Sequence, residues 1–394
     1  MSEVRVLHLS HTDINYDSRI LKEMSALSEY ENRYSLYGIG VAMDEGLAAS
    51  AQSASLKIDC IKLKSRCFRF LPTFVRHTFS LVELSVKMSL KSIGIRPHII
   101  HCHDTLVLPL GVLLKLITGA KLIYDAHELE SDRNGLTPIL SKATLIAEKI
   151  LWPFVDYLII VSPSIKSWYQ NSIGKKPSEV ILNSPVLHLG DKGISKYHKN
   201  YLRQKYSIDS TEMIFIYIGI LGKGRGIESL VDVFANRQGA HVVFMGFGEF
   251  EELIAKHANP YSNIHFHTTV PHEDVVNVVS TADVGLCMME NVSLSDYYCL
   301  PNKLFEYCFS GVPVIASDFP DIVDVVSKFK LGVCCGQDKE SIHKAVELFI
   351  SNKIIMHIDI KTLDELGWEA QKIKLLNIYE YVSNLTRNLS EKKK

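Results

Sequence analysis

The sequence lacks three features that would place it in other classes of protein. It has no apolar run long enough to cross a bilayer, and it begins directly with a strand-like stretch and no signal peptide, so we expect a cytoplasmic protein. Its 43 basic and 44 acidic residues nearly cancel, which leaves no overall field to attract nucleic acid. The eight cysteines form no Cys-x-x-Cys pair, which favours core thiols of a reducing compartment over disulfides or a zinc site.

What is present is an ordinary globular composition, 47% apolar and 22% charged, in a chain of 394 residues that can bury two cores. Strand-like and helix-like stretches alternate, and each half begins with a strand followed by a polar loop. This alternation predicts an α/β fold of two Rossmann-like domains facing across a cleft. The domains are expected at residues 1–190 and 211–365, with a polar crossover linker over 186–210. Residues 33–63 read as short strands and a helix.

The stretch from Leu300 to Ser317 reads as a helix, a stop and a buried strand. Pro301 suits the first turn of a helix, Gly311 ends the helix, and the apolar run that follows is typical of a parallel strand. Unpaired backbone N–H groups at the front of this helix would meet the ammonium of Lys303. An anion is expected to bind there.

One turn further on, Glu306 would project from the same end of the helix as Asn302 and Lys303. Its carboxylate can accept two hydrogen bonds from a vicinal diol. A phosphate beside a ribose diol describes a nucleotide. The same residues also fit a solvated, capped surface helix, so this alternative stays open.

A second anion-binding pattern runs from Gly219 to Gly226. Its glycines let the backbone approach a phosphate, and Lys223 and Arg225 supply positive charge. The spacing of the glycines does not fit the dinucleotide pattern G-x-G-x-x-G, and ordinary strand-to-helix loops look similar.

The motif Pro-Asn-Lys-Leu-Phe-Glu-Tyr, followed by Ser-Gly-Val-Pro-Val-Ile-Ala-Ser, resembles the donor signature of retaining glycosyltransferases of the GT-B fold, family 4, as found in bacterial polysaccharide assembly. The resemblance implies that Lys303 contacts phosphate, Glu306 the ribose hydroxyls and Arg225 the diphosphate. The further donor contacts that it implies are Gly222, Lys223, Gly224, Gly246, Val270, Pro301, Asn302 and Leu304. It also implies that a final helix, over about 368–385, packs back on the first domain.

Two positions depart from the family pattern. Tyr298 stands where many members carry the first of two glutamates, which leaves the nearby Asp296 as a candidate for the sugar contact. Ile220 stands where many members carry a second arginine, and Lys223 is expected to compensate for it.

In the first domain, the candidates for the acceptor or sugar side lie at strand ends. Asp13 follows the first strand, although aspartate is also common there simply because it turns well. His103 and Asp104 end another strand, where His101 and His103 alternate. This alternation could suggest a metal, but no third ligand has suitable spacing, so a structural or cleft-lining role is favoured.

His127 and Glu128 end the strand that begins at Lys121. A histidine at a strand terminus is often only a hydrogen-bonded loop residue. By the resemblance, the His-Glu pair faces the transferred sugar, and His127 is the leading candidate for a third catalytic residue beside Arg225 and Lys303.

Residues 62–79 interleave basic and aromatic side chains, including Lys64, Arg66, Phe68 and Phe79. Such a segment can lie on an anionic membrane surface, or it can be a basic amphipathic helix packed on its own domain.

The sequence therefore predicts a retaining, metal-independent hexosyltransferase that uses a nucleotide-diphosphate sugar, UDP-linked in preference to GDP-linked, as co-substrate and no other cofactor. The expected acceptor is a growing or lipid-linked bacterial surface glycan, such as a lipopolysaccharide, O-antigen or capsule precursor. Two alternatives stay open: a nucleotide-sugar 2-epimerase of the same architecture, and a non-catalytic subunit that binds nucleotide sugars.

Overall fold

The computed structural model describes residues 3–30, 33–42, 56–68, 72–186, 197–235, 237–258, 263–351, 358 and 360–391. The chain divides into two compact units. The first contains Met1–Ile181 together with Lys372–Lys394, and the second contains Leu182–Gln371.

The first unit is built on a seven-stranded sheet. Its strands are β1 (Val4–Leu9), β2 (Tyr34–Val41), β3 (Lys57–Ile61), β4 (Ile99–His103), β5 (Lys121–Ala126), β6 (Tyr157–Ile160) and β7 (Ser178–Val180), in the order β3-β2-β1-β4-β5-β6-β7. All neighbouring pairs are parallel. Its first five helices are α1 (Ser18–Ser28), α2 (Thr73–Ile95), α3 (Leu108–Thr118), α4 (Pro138–Leu151) and α5 (Pro163–Ser172).

The second unit is built on a six-stranded parallel sheet in the order β10-β9-β8-β11-β12-β13. Its strands are β8 (Met213–Ile220), β9 (Ala240–Phe247), β10 (Ile264–His267), β11 (Val284–Cys287), β12 (Val314–Ser317) and β13 (Gly332–Cys335). Its helices are α6 (Tyr201–Tyr206), α7 (Ile227–Phe234), α8 (Glu251–Ala258), α9 (His272–Val279), α10 (Leu294–Tyr297), α11 (Asn302–Phe309), α12 (Pro320–Phe329) and α13 (Lys339–Ile350). The last helix, α14 (Trp368–Glu391), belongs to the first unit from Lys372 onward.

Two parallel-sheet α/β domains were expected from the alternation of strands and helices, and this fold class is confirmed. The strands are apolar on both faces, as a sheet covered by helices requires: Ile214, Phe215, Ile216 and Tyr217 of β8 are all fully buried. Within the described residues, no helix combines the length and apolarity that crossing a bilayer requires.

Local details differ from the sequence-based expectations in two places. Pro301 caps α11 from outside, with extended backbone, and the helix begins at Asn302. The expected linker over 186–210 contains the short helix α6, whose Leu202 is buried. The described part of 33–63 holds β2 and β3, and residues 43–55 lie outside the described residues.

Helix α11 is anchored to the sheet by Tyr307. The Tyr307 hydroxyl accepts a hydrogen bond from the Ile218 N–H of β8 (3.0 Å) and donates one to the Leu286 carbonyl of β11 (3.1 Å). Its ring lies against Gly285, where an added Cβ would come within 2.4 Å of the ring. These contacts fix the position of the first turn of α11 relative to β8.

We expect Tyr307→Phe to lower the free energy of unfolding of the second unit by roughly 1–3 kcal/mol, because the buried Ile218 N–H and Leu286 carbonyl both lose their hydroxyl partner. Urea denaturation followed by tyrosine-independent signals, such as far-UV circular dichroism, measures this. Tyr206→Phe is the control: it loses one hydroxyl bond, to the Phe266 carbonyl, away from α11. A Tyr307→Phe protein as stable as the wild type would contradict this account of the anchor.

Candidate functional site

The carboxyl ends of the second unit's strands surround a cavity of 340 Å³. Ligands of open parallel sheets bind at this edge. The cavity is lined by Ile218, Gly219, Ile220, Met245, Gly246, Phe247, Thr269, Val270, His272, Val275 and Glu306. Most of these are apolar, and Ile220 and Phe247 expose more than half of their surface. The arrangement suits a flat, largely apolar group with one hydrogen-bonded end.

Gly246, Val270 and Glu306 are the donor candidates from the sequence that line this cavity. Gly246 is the position where a side chain is excluded, since a Cβ there would lie 1.8 Å from the Gly219 carbonyl oxygen. The Glu306 carboxylate is largely buried and lies 3.8 Å from Nδ1 of His272. It supplies the polar end of an otherwise apolar cavity.

The loop between β8 and α7 carries Arg225, whose side chain is held by a carboxylate. Arg225 Nη1 donates to Asp296 Oδ1 at 3.3 Å, and Asp296 is itself fixed by the Ser293 hydroxyl at 2.8 Å and by the reciprocal bond from its own N–H. The sequence placed Asp296 on the sugar. In the structure it orients Arg225, and a direct sugar contact stays a prediction.

The remaining candidates in this loop contribute mainly through their backbone. Gly224 has a left-handed φ of 77° and accepts a hydrogen bond from the Glu290 N–H, which ties the loop to the end of β11. The Lys223 N–H donates to Glu249, and the Lys223 side chain is exposed. Gly222 is buried beside the same glutamate.

Lys303 is a nearly buried lysine of the second unit. Only 9% of the residue is exposed, its Nζ has no hydrogen-bond partner among the described residues, and it sits 4.0 Å from the centroid of the Tyr217 ring. Burial raises the pKa of the Cys287 thiol to about 12, and the charges of Lys303 and Arg225 both oppose this rise. Both cations therefore act electrostatically on the last residue of β11.

The other predicted positions around α11 have separate roles. Asn302 is exposed at the first helical position, whereas the Leu304 side chain is fully buried and its N–H donates to the Pro301 carbonyl. Leu304 thus packs the helix and presents no side chain to a ligand. Tyr298 caps the carboxyl end of α10, and its ring contacts that of Tyr297.

The first unit contains a buried network of histidines at the ends of β1, β4 and β5. His8 Nδ1 lies 3.0 Å from His103 Nε2, and His101 Nδ1 lies 2.6 Å from the Tyr379 hydroxyl of α14. Burial lowers the pKa of all three histidines, that of His101 to about 3. They are therefore neutral, and His103 is fully enclosed and does not face a ligand directly.

One charged pair sits at the base of this network. Arg19 of α1 binds Asp125 of β5 through two hydrogen bonds, at 3.1 and 3.0 Å, and both side chains are buried. Burial alone would raise the pKa of Asp125, but Arg19 and then His127 outweigh it and hold the pKa well below its usual range. Asp125 is thus a fixed anion inside the first unit.

His127 connects this network to the surface. Its Nε2 lies 3.1 Å from His103 Nδ1 and 3.3 Å from Asp125, its Nδ1 lies 3.7 Å from Asp104, and its side chain is 19% exposed. Burial opposes protonation, but the carboxylates of Asp104 and Asp125 raise the pKa of His127 to about 10. His127 is therefore a protonated, partly exposed hydrogen-bond donor.

Asp104 holds its position at the cost of backbone strain. Its φ is 66°, a left-handed value that favours glycine, and its carboxylate lies 3.7 Å from both His11 and His127. Strained non-glycine residues concentrate at functional sites. Together with His127, Asp104 is the part of the first unit that looks most like a site.

Asp13 and Glu128 are placed differently. The Asp13 carboxylate is nearly buried and accepts hydrogen bonds from the Asn15 N–H, the Asn15 amide and the Cys60 thiol. It therefore caps the turn before α1, the structural role that the sequence had left open. Glu128 is exposed beside His127.

Two groups in this network have atoms close enough to hold a metal ion: His8, Glu23, His101 and His103, with all ligand atoms within 4.8 Å of one another, and His103, Asp125 and His127. The sequence offered no third ligand of suitable spacing, because Glu23 of α1 and His8 of β1 reach the pair only in the folded chain. Burial, then Asp125, raises the pKa of Glu23 to about 8, so this carboxyl keeps its proton. Hydrogen bonds join His8 to His103 and His101 to Tyr379, and we interpret the cluster as buried core.

Residues 198–372 match the family model described as glycosyl transferases group 1. Sucrose-phosphate synthase from Thermosynechococcus elongatus aligns with 97% of this chain and 100% of its own, at 16% identity and a TM-score of 0.76. Anabaena HepE in complex with UDP-glucose aligns with 96% of this chain and 100% of its own, at 12% identity and a TM-score of 0.71. This chain has the GT-B fold.

A curated relative is chitobiosyldiphosphodolichol beta-mannosyltransferase from Kluyveromyces lactis, 22% identical over 288 residues. The match covers 65% of this chain and 63% of the relative. The chain thus spans less than two thirds of the length of this relative. The matched range 198–372 contains every donor candidate that the sequence had singled out, and the first unit's candidates lie outside it.

We expect Asp104→Asn to lower the pKa of His127 from about 10 toward its ordinary value of 6.5, because it removes one of the two carboxylates that favour the charge. Since the folded-state pKa is raised, the Asp104–His127 interaction stabilises the protein fully below pH 6.5 and is lost as the pH rises toward 10. Titration of the imidazole signals by NMR measures the shift.

Glu128→Gln is the matched control. It removes an exposed carboxylate that follows His127 in the sequence and is not among the main causes of the raised His127 pKa. An unchanged His127 titration in Asp104→Asn would show that Asp104 does not control its charge.

Proposed function

We propose that this protein is a retaining glycosyltransferase that moves a hexose from a nucleotide-diphosphate sugar onto a lipid-linked or growing glycan. The observation that carries the proposal is the buried Lys303 ammonium, which has no hydrogen-bond partner among the described residues and lies 4.0 Å from the centroid of the Tyr217 ring. The group 1 match of residues 198–372 supports it.

The physics of Lys303 favours an anionic ligand. A buried charge is costly unless it is paired, and the face of Tyr217 compensates only part of the lost hydration. A diphosphate supplies what the ammonium lacks, because its oxygens accept short charge-assisted hydrogen bonds. The first turn of α11 adds the positive end of a helix dipole to the same place.

Arg225 would be the second cation on the diphosphate. Its bond to Asp296 leaves the side chain 28% exposed and fixes its direction through the capping interaction of α10. A preorganised cation needs no reorganisation when charge develops on the leaving group. Exposed Lys223, two residues before it, would add a further positive charge.

The 340 Å³ cavity would take the nucleoside. Glu306 would accept hydrogen bonds from the ribose diol, and the apolar walls around Val270, Ile220 and Phe247 would pack against the base. Backbone groups near Val270 would contact the base edge, as the family resemblance implies. We favour UDP as the nucleotide, since HepE binds UDP-glucose with the same fold, and GDP stays the alternative.

In the proposed reaction, the bond between the anomeric carbon and the diphosphate oxygen breaks, and its electron pair leaves with the diphosphate. The acceptor hydroxyl forms the new bond on the same face of the sugar and gives its proton to the departing phosphate. Lys303 and Arg225 stabilise the charge of the leaving group, and the protonated His127 donates a hydrogen bond to a substrate oxygen. No metal takes part in this proposal.

The acceptor is proposed from relatives. The name of the Kluyveromyces lactis relative describes mannosyl transfer to a diphosphodolichol-linked chitobiose. We propose a lipid-linked glycan as acceptor here too, at the cytoplasmic face of a membrane, and a bacterial surface glycan such as lipopolysaccharide, O-antigen or capsule as its class. The same relative is named as a β-mannosyltransferase, which makes the anomeric configuration of the product the first thing to determine.

We expect Arg225→Ala and Lys303→Met each to reduce kcat by ~10²–10³, because each removes one preorganised charge from the leaving group. Transfer is measured as nucleotide released with purified protein, candidate donors and a membrane lipid extract as acceptor. Lys344→Ala, at an exposed lysine of α13, is the control for loss of a positive charge.

Both site variants must keep the wild-type circular dichroism and thermal transition. Near-normal transfer by both folded variants would remove the proposed leaving-group site. Sugar interconversion without acceptor would instead identify an epimerase, and tight donor binding without turnover a binding subunit.

A panel of UDP- and GDP-sugars should identify the donor by thermal shift. A cognate donor at 100 times its Kd stabilises the folded protein by roughly 2.7 kcal/mol, and Glu306→Gln should lose much of this shift because the diol loses its acceptor. Transfer measured with excess EDTA should equal transfer without it. An EDTA-sensitive reaction would contradict the metal-independent mechanism.

A further inference from the structure

Three neighbouring helices of the first unit carry large apolar side chains on their solvent side. Leu90 is 70% exposed, Leu116 65%, Ile139 81% and Ile150 65%. A helix packed on a sheet normally turns polar residues outward, so an apolar outer face calls for a partner. The exposed apolar residues of this region are Phe79, Leu81, Val82, Val86, Leu90, Ile93, Leu106, Leu113, Leu116, Ile117, Ile139, Leu140, Ile146 and Ile150.

Helix α2 shows the pattern most clearly. Its exposed stripe follows the spacing of one helix face, with steps of three and four residues through Phe79, Val82, Val86, Leu90 and Ile93. Its buried side is a different stripe, Leu84, Met88 and Ser92, at steps of four. The helix thus has two apolar faces, and its own sheet covers one of them.

The outer faces of α2, α3 and α4 lie on the same side of the sheet. The three helices connect β3 to β4, β4 to β5 and β5 to β6, and all three connections run in the same direction across the strand order. Right-handed crossovers therefore place them on one face. Helix α3 lies between the other two and contacts both, so their exposed residues form one continuous surface, here called the α2–α4 face.

The charges on this face have one prevailing sign. The sequences of the three helices contain two carboxylates, Glu83 and Glu148; Glu83 binds Lys87, and Glu148 is buried. Lys142 and Lys149 are exposed on α4, each three residues after an exposed isoleucine of its apolar stripe. Lys91 and Lys115 form ion pairs with acids of neighbouring segments.

The segment just before α2 adds to this charge. Lys64, Arg66 and Phe68 are exposed there. They belong to the segment 62–79 that the sequence singled out for membrane contact, of which residues 69–71 lie outside the described residues. The apolar stripe of α2 begins at the end of that segment and extends well beyond it.

We propose that the α2–α4 face binds the surface of an anionic lipid bilayer, with its aliphatic side chains in the acyl boundary and Lys142 and Lys149 at the headgroups. An apolar surface with lysines interleaved and almost no exposed carboxylate matches this environment, in which apolar area and cations both contribute. The inference concerns binding alone and is independent of the reaction proposed above.

The test is co-sedimentation of the full chain with vesicles of phosphatidylcholine alone and of phosphatidylcholine mixed with phosphatidylglycerol. The wild type is expected to sediment with the mixed vesicles and more weakly with the neutral ones. Leu90→Glu/Ile146→Glu should weaken binding to mixed vesicles at least about tenfold, because two large aliphatic side chains no longer enter the bilayer.

Two further variants separate this surface from general effects. Lys142→Gln/Lys149→Gln should weaken binding to mixed vesicles by about fivefold per lysine at low salt and leave neutral vesicles unaffected. Ile373→Glu/Leu348→Glu places the same charges at exposed apolar positions of α14 and α13 and should bind as the wild type does. All variants are compared at equal folded fraction, checked by thermal melting.

Three results would overturn the proposal. The wild type could stay in the supernatant with mixed vesicles, or Leu90→Glu/Ile146→Glu could bind as well as the control pair. Sedimentation velocity without lipid could instead show a dimer that Leu90→Glu/Ile146→Glu dissociates, which would make the α2–α4 face an interface between two copies of this chain.

Discussion

The second unit depends on holding the Lys303 ammonium in a nearly buried position, with no carboxylate paired to it among the residues that the structure describes. The face of Tyr217 lies under the charge, and Tyr307 fixes the helix that carries it to two strands. A carboxylate beside Lys303 would make the burial easier, but it would also neutralise the charge that a diphosphate would bind. The local instability of this arrangement is the physical reason for assigning it a ligand.

The two units treat buried charge in opposite ways. In the first unit, Arg19 is matched by Asp125, and His127 lies between two carboxylates, so the buried charges satisfy one another. In the second unit, Asp296 restrains Arg225, and Lys303 is left without a hydrogen-bond partner among the described residues. The first arrangement positions a proton donor at its surface. The arrangement in the second unit leaves positive electrostatic potential at the place where we propose that the leaving group develops negative charge.

The candidate site residues that the sequence singled out are those that lie close together in the chain. Lys303 and Glu306 stand one turn apart on a helix whose stop and following strand are visible in the same eighteen-residue stretch. The sequence also singled out Arg225 because this residue belongs to a short glycine-containing loop. The residues of the buried network that the sequence did not indicate come from distant segments: Arg19 and Glu23 from α1, His8 from β1 and Tyr379 from α14. Their one local signal was an arginine and a glutamate four residues apart on the inward side of an otherwise apolar helix face.

The α2–α4 face shows a related limit of sequence patterns. Periodicity indicates that a helix has an apolar side, but α2 has two apolar stripes, and the pattern alone does not tell which one the sheet covers. The burial of the side chains shows which stripe of α2 the sheet covers. The strand order places three successive helices on one side of the sheet, so that their exposed apolar residues are neighbours. The sequence pointed to the basic and aromatic residues before α2 because charge is conspicuous in a sequence. The larger contribution to the surface comes from aliphatic residues that, one helix at a time, look like ordinary core.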